Sequence, residues 1–202
     1  MRCPAHGRWL VIHDPTLERT HGLACDIAGN DGLAGRAWTT EPPPLLASVL
    51  ARTGTGRGLV IEVKPAHGHD GEACAALAAI IRQAPAAREL MVISFDADLL
   101  RILRPLLPEM PLGLLEDTPG PDPVDVLSGL DADAWWPRAD AIKQEAVAAC
   151  RARELPVIAW TARHDGDCRT LAALGVAAFG SDDPVHHLHL LRKTRPGGTG
   201  YR

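Results

Sequence analysis

Residues 90–116, with the sequence LMVISFDADLLRILRPLLPEMPLGLLE, contain the pattern that decides the fold. The stretches 90–95 and 111–116 are short apolar runs, typical of buried strands. Between them, residues 98–107 repeat leucine at the three-to-four-residue spacing of a helix. Because a parallel strand pair needs a crossover connection of about this length, the stretch predicts a strand–helix–strand unit with parallel strands.

The same alternation continues along the chain. Other apolar runs span 8–13, 59–63, 134–137, 155–161 and 177–182, and other helical stretches span 72–84, 140–153 and 166–174, with Gly175 as the expected cap of the last. From residue 90 onward the strand starts lie 21 to 23 residues apart. The runs are apolar without alternation, which indicates a sheet covered on both faces.

Two α/β architectures fit this pattern, a closed (β/α)8 barrel of the TIM type and an open, doubly wound sheet. A dinucleotide-binding sheet would carry Gly-x-Gly-x-x-Gly directly after a strand. The glycine cluster of this chain, Gly54, Gly56 and Gly58, precedes a strand and has a different spacing. The sequence therefore favours the barrel.

Composition excludes several classes of protein. Of the 202 residues, 46% are hydrophobic and 23% are charged, which is incompatible with a disordered chain. The net charge of -4 argues against a nucleic-acid partner. No apolar run approaches a signal peptide core or a membrane span, and the five cysteines form no Cys-x-x-Cys pair. We therefore expect a cytoplasmic protein with reduced cysteines that serve packing.

One domain is expected over residues 1–192, followed by a disordered tail over 193–202. Within the domain, residues 20–58 are rich in glycine and proline and form a predicted loop-rich insertion. The one helix predicted in this insertion spans residues 45–51.

Polar side chains follow the predicted strands, and in a barrel these strand ends form the active site. His13 ends the first run, and Glu62 and Lys64 lie at the end of the second. An imidazole can transfer a proton, a carboxylate can hold a hard divalent cation, and an ammonium can balance phosphate charge. This combination points to phosphoester chemistry.

Two longer strings are more specific. HDPTLERT at residues 13–20 resembles the second histidine motif of the glycerophosphodiester phosphodiesterase family, and LVIEVKP at 59–65 resembles its Glu-x-Lys-Pro strand. Three later strings, at 92–96, 157–161 and 180–184, follow in the order and approximate spacing of the family. The resemblance extends over about residues 8 to 190.

The resemblance implies a (β/α)8 barrel and a metal-dependent hydrolase that splits glycerophosphodiesters into an alcohol and glycerol 3-phosphate. It further implies that His13 is a catalytic acid/base histidine, Glu62 a metal ligand for Mg²⁺ or Ca²⁺, Lys64 a phosphate contact and Trp160 a wall for the glycerol moiety. The implied partner is therefore a small-molecule glycerophosphodiester.

The chain departs from the family pattern ahead of His13. The family begins with His-Arg-Gly, then Glu-Asn, then a strand with Glu-x-Asp. This sequence contains no His-Arg dipeptide, no Glu-Asn dipeptide and no Glu-x-Asp. His6, in His-Gly-Arg, lies too close to His13 to replace the first motif. A complete barrel takes about 250 residues. We therefore expect an incomplete barrel lacking the first strand, the first helix and most of the second strand.

Three consequences are expected of such a barrel. The chain should be inactive or severely impaired, with no metal-dependent release of glycerol 3-phosphate. Its open sheet edges should favour self-association. The alternative function is a catalytically inactive remnant that binds phosphoesters or a partner. A barrel phosphodiesterase of the phosphoinositide type is a further possibility, against which Lys64-Pro65 after Glu62 argues.

Each candidate residue also has a purely structural explanation. His13 and Asp14 fit a turn cap, Glu62 and Lys64 an ordinary ion pair, and Trp160 a packing residue. Two further groups are assigned structural roles only. His186, His187 and His189 are expected on a solvated helix face, and Asp182 and Asp183 are expected to cap the last helix.

Overall fold

The computed structural model describes residues 1–3, 8–28, 30, 33, 36–38, 41–53, 58–65, 71–84, 90–120 and 122–194. The chain divides into two compact units, Met1–Gly113 and Leu114–Arg202. Both are of the α/β class. In the described part of the chain, no helix has the length and hydropathy needed to span a bilayer.

The first unit begins with an antiparallel hairpin and continues with strands and helices in alternation. Its elements are β1 (Thr16–Leu17), α1 (Glu18–His21), β2 (Leu23–Asp26), α2 (Leu46–Arg52), β3 (Leu59–Glu62), α3 (Gly71–Arg82), β4 (Leu90–Ser94) and α4 (Ala97–Leu106). Strand β3 pairs in parallel with β4, with Leu59 opposite Leu90 and Glu62 opposite Ile93. Next to β4 runs β5 (Leu112–Glu116), the strand in which the two units divide.

The second unit repeats the alternation. After β5 come α5 (Pro123–Leu130), β6 (Ala134–Pro137), a 3-10 turn (Ala139–Ala141), α6 (Gln144–Ala152), β7 (Ile158–Ala162), α7 (Asp165–Leu174), β8 (Ala178–Ser181) and α8 (Pro184–Thr194). Strand β6 is the neighbour of β5, and single parallel bridges join β6 to β7. Strand β7 pairs in parallel with β8.

The strands predicted from residue 59 onward are present, with ends shifted by three residues or fewer. The described strands form a two-stranded, a four-stranded and a second two-stranded sheet, and they do not close into a barrel. The predicted helix at 45–51 is α2. The hairpin of β1 and β2, whose second strand lies within the predicted insertion at 20–58, was not expected. Helix α8 ends at Thr194, and the rest of the predicted tail lies outside the described residues.

The strand predicted over residues 8–13 is wrong. Its backbone groups bond to two separate segments, residue 2 and residues 44–46, instead of forming a continuous ladder with one strand. Leu10 exchanges two hydrogen bonds with Arg2, the N–H of Val11 donates to the carbonyl of Pro44, and the N–H of Leu46 donates to the carbonyl of Trp9. Trp9, Leu10 and Ile12 are buried here without the continuous ladder that defines a strand.

Helices cover the sheets with leucine-rich faces. Leu77 of α3 and Leu100 of α4 are fully buried in the first unit, and Leu127 and Leu171 are buried in the second. The end of α7 follows the sequence prediction, because Gly175 adopts a left-handed conformation with φ of 78°.

The cysteines also contribute to packing. All five are free thiols, and all except Cys25 are buried. Burial is the main reason that the pKa of the Cys150 thiol rises to about 11. A thiol with this pKa stays protonated and unreactive at neutral pH.

Ser94 joins the ends of β3 and β4. Its side chain is fully buried, and its hydroxyl donates to the carbonyl of Val63 at 2.8 Å. The same oxygen accepts the N–H of Asp96 at 3.0 Å, and the Asp96 carboxylate caps α4 by accepting the N–H of Leu99 at 3.0 Å. One hydroxyl thus fixes the chain just beyond β3 and the start of the next helix.

We predict that Ser94→Ala lowers the free energy of unfolding by about 1–3 kcal/mol, because it removes the hydroxyl that bonds to the buried carbonyl of Val63 and to the partly buried N–H of Asp96. Ser128→Ala, at an exposed position of α5, is the matched control and should change stability by less than about 0.5 kcal/mol. Urea unfolding of both variants measures the difference. Equal stabilities would contradict the role given to the Ser94 hydroxyl.

Candidate functional site

His13 belongs to a chain of three hydrogen-bonded side chains, His13, Asp14 and Arg19, that follows the first apolar run. Its Nδ1 lies 2.9 Å from Oδ1 of Asp14, and Nε of Arg19 donates to the other oxygen of Asp14 at 2.5 Å. The His13 side chain is 72% exposed. An imidazole held through Nδ1 keeps Nε2 available for proton exchange with a ligand.

The Asp14 carboxylate is ionised at neutral pH. Its hydrogen bond from Arg19, together with the weaker one to His13, lowers the pKa of Asp14 to about 2. The contact between His13 and Asp14 agrees with the turn-cap explanation and with an oriented catalytic imidazole. The catalytic role of His13 therefore stays a prediction.

Glu62 and Lys64 lie on the same side of the extended chain at the end of β3, as their spacing predicts. Nζ of Lys64 lies 2.5 Å from Oε1 of Glu62, and both side chains are largely buried. The backbone is held in place because the N–H of Val63 donates to the Ile93 carbonyl and that of Lys64 to the Met1 carbonyl. This contact is the ion pair expected from a structural explanation, and the binding roles of both residues stay predictions.

His13 and Glu62 line the same cavity, which has a volume of about 270 Å³. The rest of its wall is apolar and includes Val11, Leu46 and Val60. The first unit therefore brings an imidazole and a carboxylate, 49 positions apart in the sequence, to one opening.

Arg2 is a residue that the sequence analysis missed. Its Nε donates to the carbonyl of His13 at 3.1 Å. Burial lowers the pKa of its guanidinium, and the nearby carboxylates of Glu62 and Asp14 partly oppose this effect. No motif contains Arg2, because only the pairing of residues 2 and 10 brings it here.

The carboxylates at this cavity do not fit a magnesium or calcium ion by themselves. Such an ion takes six or more oxygen ligands, mostly from carboxylates, carbonyls and water. Glu62 offers one carboxylate to the cavity, and Lys64 already neutralises it. Among the described residues, the group that could hold a metal ion lies elsewhere, at Asp165, His186 and His187.

Trp160 lies in the second unit, at the edge of another cavity of about 230 Å³. Its indole Nε1 donates to the carbonyl of Trp136 at 2.9 Å, which fixes the ring. The same cavity is lined by two arginines, a histidine and two aspartates, so its rim carries both signs of charge: Arg138, Arg163, His164, Asp140 and Asp167. Arg138 is itself paired with Asp117 at 2.8 Å and with Asp140 at 2.5 Å.

The histidines of α8 differ from the solvated face that we expected. His187 is buried, with 4% of its surface exposed, while His186 and His189 are exposed. The rings of His186 and His187 approach each other with centroids 5.3 Å apart. The expectation failed for His187 because helical spacing alone does not show that α8 packs against α7. By contrast, Asp183 caps α8 as predicted, accepting the N–H of His186 at 3.1 Å.

An imidazole, a carboxylate and an ammonium are the groups that phosphoester chemistry uses. Comparison with known protein families gives a more specific assignment. The model of the glycerophosphoryl diester phosphodiesterase family matches residues 6–186. The chain therefore belongs to this family, as the motifs around His13 and Glu62 indicated. No match was found among curated proteins.

Several solved structures resemble the chain. A protein from Silicibacter pomeroyi, described as a glycerophosphoryl diester phosphodiesterase, is 26% identical over 75% of this chain, with a TM-score of 0.67. This chain spans 57% of the length of that protein. A phosphodiesterase from Oleispira antarctica, in complex with the product sn-glycerol-3-phosphate, has a TM-score of 0.80 at 22% identity and covers 92% of this chain and 80% of its own.

A third similar structure is a glycerophosphodiester phosphodiesterase from Thermotoga maritima. It is 20% identical, covers 96% of this chain and 82% of its own length, and has a TM-score of 0.68. At this level of identity, the similarity to the second and third structures supports the fold.

We predict that the carboxyl group of Asp14 titrates near pH 2 and that Arg19→Gln moves its midpoint toward the ordinary value of about 3.9. Because the folded-state pKa is lowered, the pairing stabilises the fold above about pH 3.9 and this contribution disappears as the pH falls toward 2. Carbon-13 NMR of the side-chain carboxyl measures the midpoint. Glu18→Gln, an exposed neighbour, should change it little. An unchanged midpoint in Arg19→Gln would show that the pair does not form.

Proposed function

We propose that the chain is a phosphodiester hydrolase that converts a glycerophosphodiester and water into an alcohol and glycerol 3-phosphate, on a fold of the (β/α)8 barrel type. The observation that supports this proposal most is the shared cavity of His13 and Glu62, within a chain that belongs to the glycerophosphoryl diester phosphodiesterase family. A similar structure that holds sn-glycerol-3-phosphate supports the substrate class.

His13 is the proposed acid/base residue. Asp14 remains ionised and accepts the Nδ1 proton, so Nε2 faces the reacting groups as the free nitrogen. Nε2 removes a proton from the attacking water, whose oxygen forms a new bond to phosphorus. If the glycerol hydroxyl attacks instead, it forms a cyclic phosphate, and water opens this ring in a second step of the same kind to give glycerol 3-phosphate. The bond from phosphorus to the alcohol oxygen breaks, and the proton on Nε2 passes to that oxygen.

Lys64 is the proposed phosphate contact. Its ammonium is held by Glu62 at 2.5 Å, so binding a phosphodiester would place an anion beside an existing ion pair. The ammonium would then compensate charge on the phosphate oxygens, which increases as the reaction proceeds. Trp160 is proposed as the apolar wall for the glycerol moiety, as the family motif implies.

A divalent ion, Mg²⁺ or Ca²⁺, is part of the proposed family chemistry, with Glu62 as one ligand. When bound, such an ion withdraws charge from phosphate oxygens. The 202-residue sequence contains no counterpart of the motifs His-Arg-Gly and Glu-x-Asp, which the family pattern places ahead of His13. We therefore propose that this chain alone turns over slowly and without a requirement for metal.

A second candidate function is binding of phosphoesters without turnover. The contact of Lys64 with Glu62 favours it, because a carboxylate neutralised by an ammonium is a poor ligand for a dication. The same cavity would then bind glycerol 3-phosphate through Lys64 while no bond is cleaved.

We predict slow release of glycerol 3-phosphate from glycerophosphocholine by the purified chain, unchanged by EDTA. His13→Ala should reduce this rate by roughly 10²- to 10⁴-fold, to the background level, because it removes the proton-transfer group. His189→Ala, at an exposed position of α8, should leave the rate unchanged. A coupled assay for glycerol 3-phosphate measures all three rates.

Other outcomes of these measurements distinguish hydrolysis with a metal, hydrolysis without a metal, and binding without turnover. EDTA-sensitive turnover that His13→Ala abolishes would show that a functional metal site is present. The proposal that this chain is impaired would then be wrong. Binding of glycerol 3-phosphate by calorimetry, weakened in Lys64→Met and without any turnover, would establish the second candidate. If the chain shows neither binding of glycerol 3-phosphate nor turnover, both functions are refuted.

Self-association through an open sheet edge is the remaining proposal about partners. Strand β3 is an edge strand of its described sheet, and its residue Val60 is 47% exposed. Met1 bonds to the chain at Glu62 and Lys64, and an exposed apolar edge strand beside this contact favours pairing with a second copy. We predict a concentration-dependent rise of the sedimentation coefficient, which Val60→Lys should suppress. A single species at all concentrations would contradict self-association.

Residence in the cytoplasm likewise stays a prediction.

A further inference from the structure

Three potential metal ligands converge at the carboxyl-end side of β7 and β8. Asp165 begins α7, directly after β7, and His186 and His187 lie in the first turns of α8, directly after β8. The ligand atoms of these three side chains all lie within 4.8 Å of one another. Each helix is 10 or more residues long and follows its own strand, so the two parallel strands position the group.

The distances suit one small ion after modest adjustment. Nε2 of His186 lies 2.7 Å from Oδ1 of Asp165, and Nε2 of His187 lies 3.8 Å from the same oxygen. Tetrahedral coordination with bonds of about 2.0–2.1 Å places ligand atoms about 3.3 Å apart. The two observed separations lie on either side of this value, so small side-chain rotations bring the three atoms to a common centre.

His187 is held as metal-binding histidines usually are. It is one of two buried polar residues among the described part of the chain, the other being Ser94. Its Nδ1 lies 2.6 Å from the hydroxyl oxygen of Ser181, and that oxygen also accepts the N–H of Asp183 at 3.0 Å. A hydroxyl can accept the Nδ1 proton as well, which leaves the Nε2 lone pair free for an ion.

Charge and access agree with a cation. Asp182 and Asp183 lie at the end of β8 next to the group, and Asp167 lies in the same turn as Asp165. The opposing charge is Arg169, whose Nη2 lies 3.8 Å from the other oxygen of Asp165, and Arg163 is occupied by Asp182 at 3.9 Å. His186 and Asp165 are about half exposed, so an ion and a water ligand can enter from solvent.

We propose that Asp165, His186 and His187 bind a divalent transition-metal ion of the zinc class, with a water molecule as the fourth ligand. Two imidazole nitrogens and one carboxylate are ligands that Zn²⁺ and Co²⁺ prefer, whereas Mg²⁺ and Ca²⁺ take oxygen ligands. The site is therefore distinct in position and in metal preference from the cation proposed at Glu62. Ser181 is its positioning residue.

Titration of the chelator-treated full chain with Co²⁺ tests the proposal. We expect one equivalent to bind and to give ligand-field absorption without the intense charge-transfer band of a thiolate ligand, which separates this site from the five free cysteines. Zn²⁺ should displace the Co²⁺ and raise the melting temperature, because an ion that binds only the folded state stabilises it.

Variants assign the ligands. His186→Gln and Asp165→Asn, both at accessible positions, should weaken binding more than Ser181→Ala, which should cost roughly 10–100-fold in affinity. His189→Gln, on the same helix, and Glu62→Gln should bind Co²⁺ as the original chain does. Circular dichroism confirms that each variant is folded. Absence of binding, a thiolate band, or unchanged binding in His186→Gln and Asp165→Asn would overturn the proposal.

Discussion

The buried hydroxyl of Ser94 is the contact on which the candidate site depends most. It ties the carbonyl of Val63 to the start of α4, and Val63 lies between Glu62 and Lys64. A strand end is normally a place where backbone groups lose their ladder partners and require other ones. Here the hydroxyl supplies that partner inside the core, so the residues on either side of Val63 keep a fixed direction. Apolar packing alone would define this direction less closely, because the hydrophobic effect is non-directional whereas a hydrogen bond is not.

The same arrangement of serine and aspartate occurs a second time, at the end of β8. Ser181 accepts the N–H of Asp183, and Asp183 caps α8, as Ser94 and Asp96 do for α4. The remaining bond of the hydroxyl differs. Ser94 donates to a carbonyl, whereas Ser181 contacts the imidazole of His187. One local solution to the strand–helix connection thus supports a backbone in one unit and a histidine in the other.

Electrostatics at the site is organised by pairs. Asp14 holds His13 and is itself held by Arg19, while Glu62 holds Lys64. Pairing orders these side chains before a substrate is present, which reduces the entropy lost on binding. It also limits what Glu62 can do, since a carboxylate engaged by an ammonium has less capacity for a cation. The pairs that make the site rigid are therefore also the reason that we propose slow turnover.

Sequence by itself determined the family, the order of the strands from residue 59 onward, and the cap at Gly175. These features depend on local pattern, namely apolar runs, helical spacing and residues with a special backbone conformation. Three features were decided only by the tertiary structure. Residues 8–13 are not a strand because their partners come from two separate segments, residue 2 and residues 44–46, Arg2 reaches the site by pairing with residue 10, and His187 is buried where α8 meets α7. Each depends on contacts between residues far apart in the chain, for which local spacing contains no information.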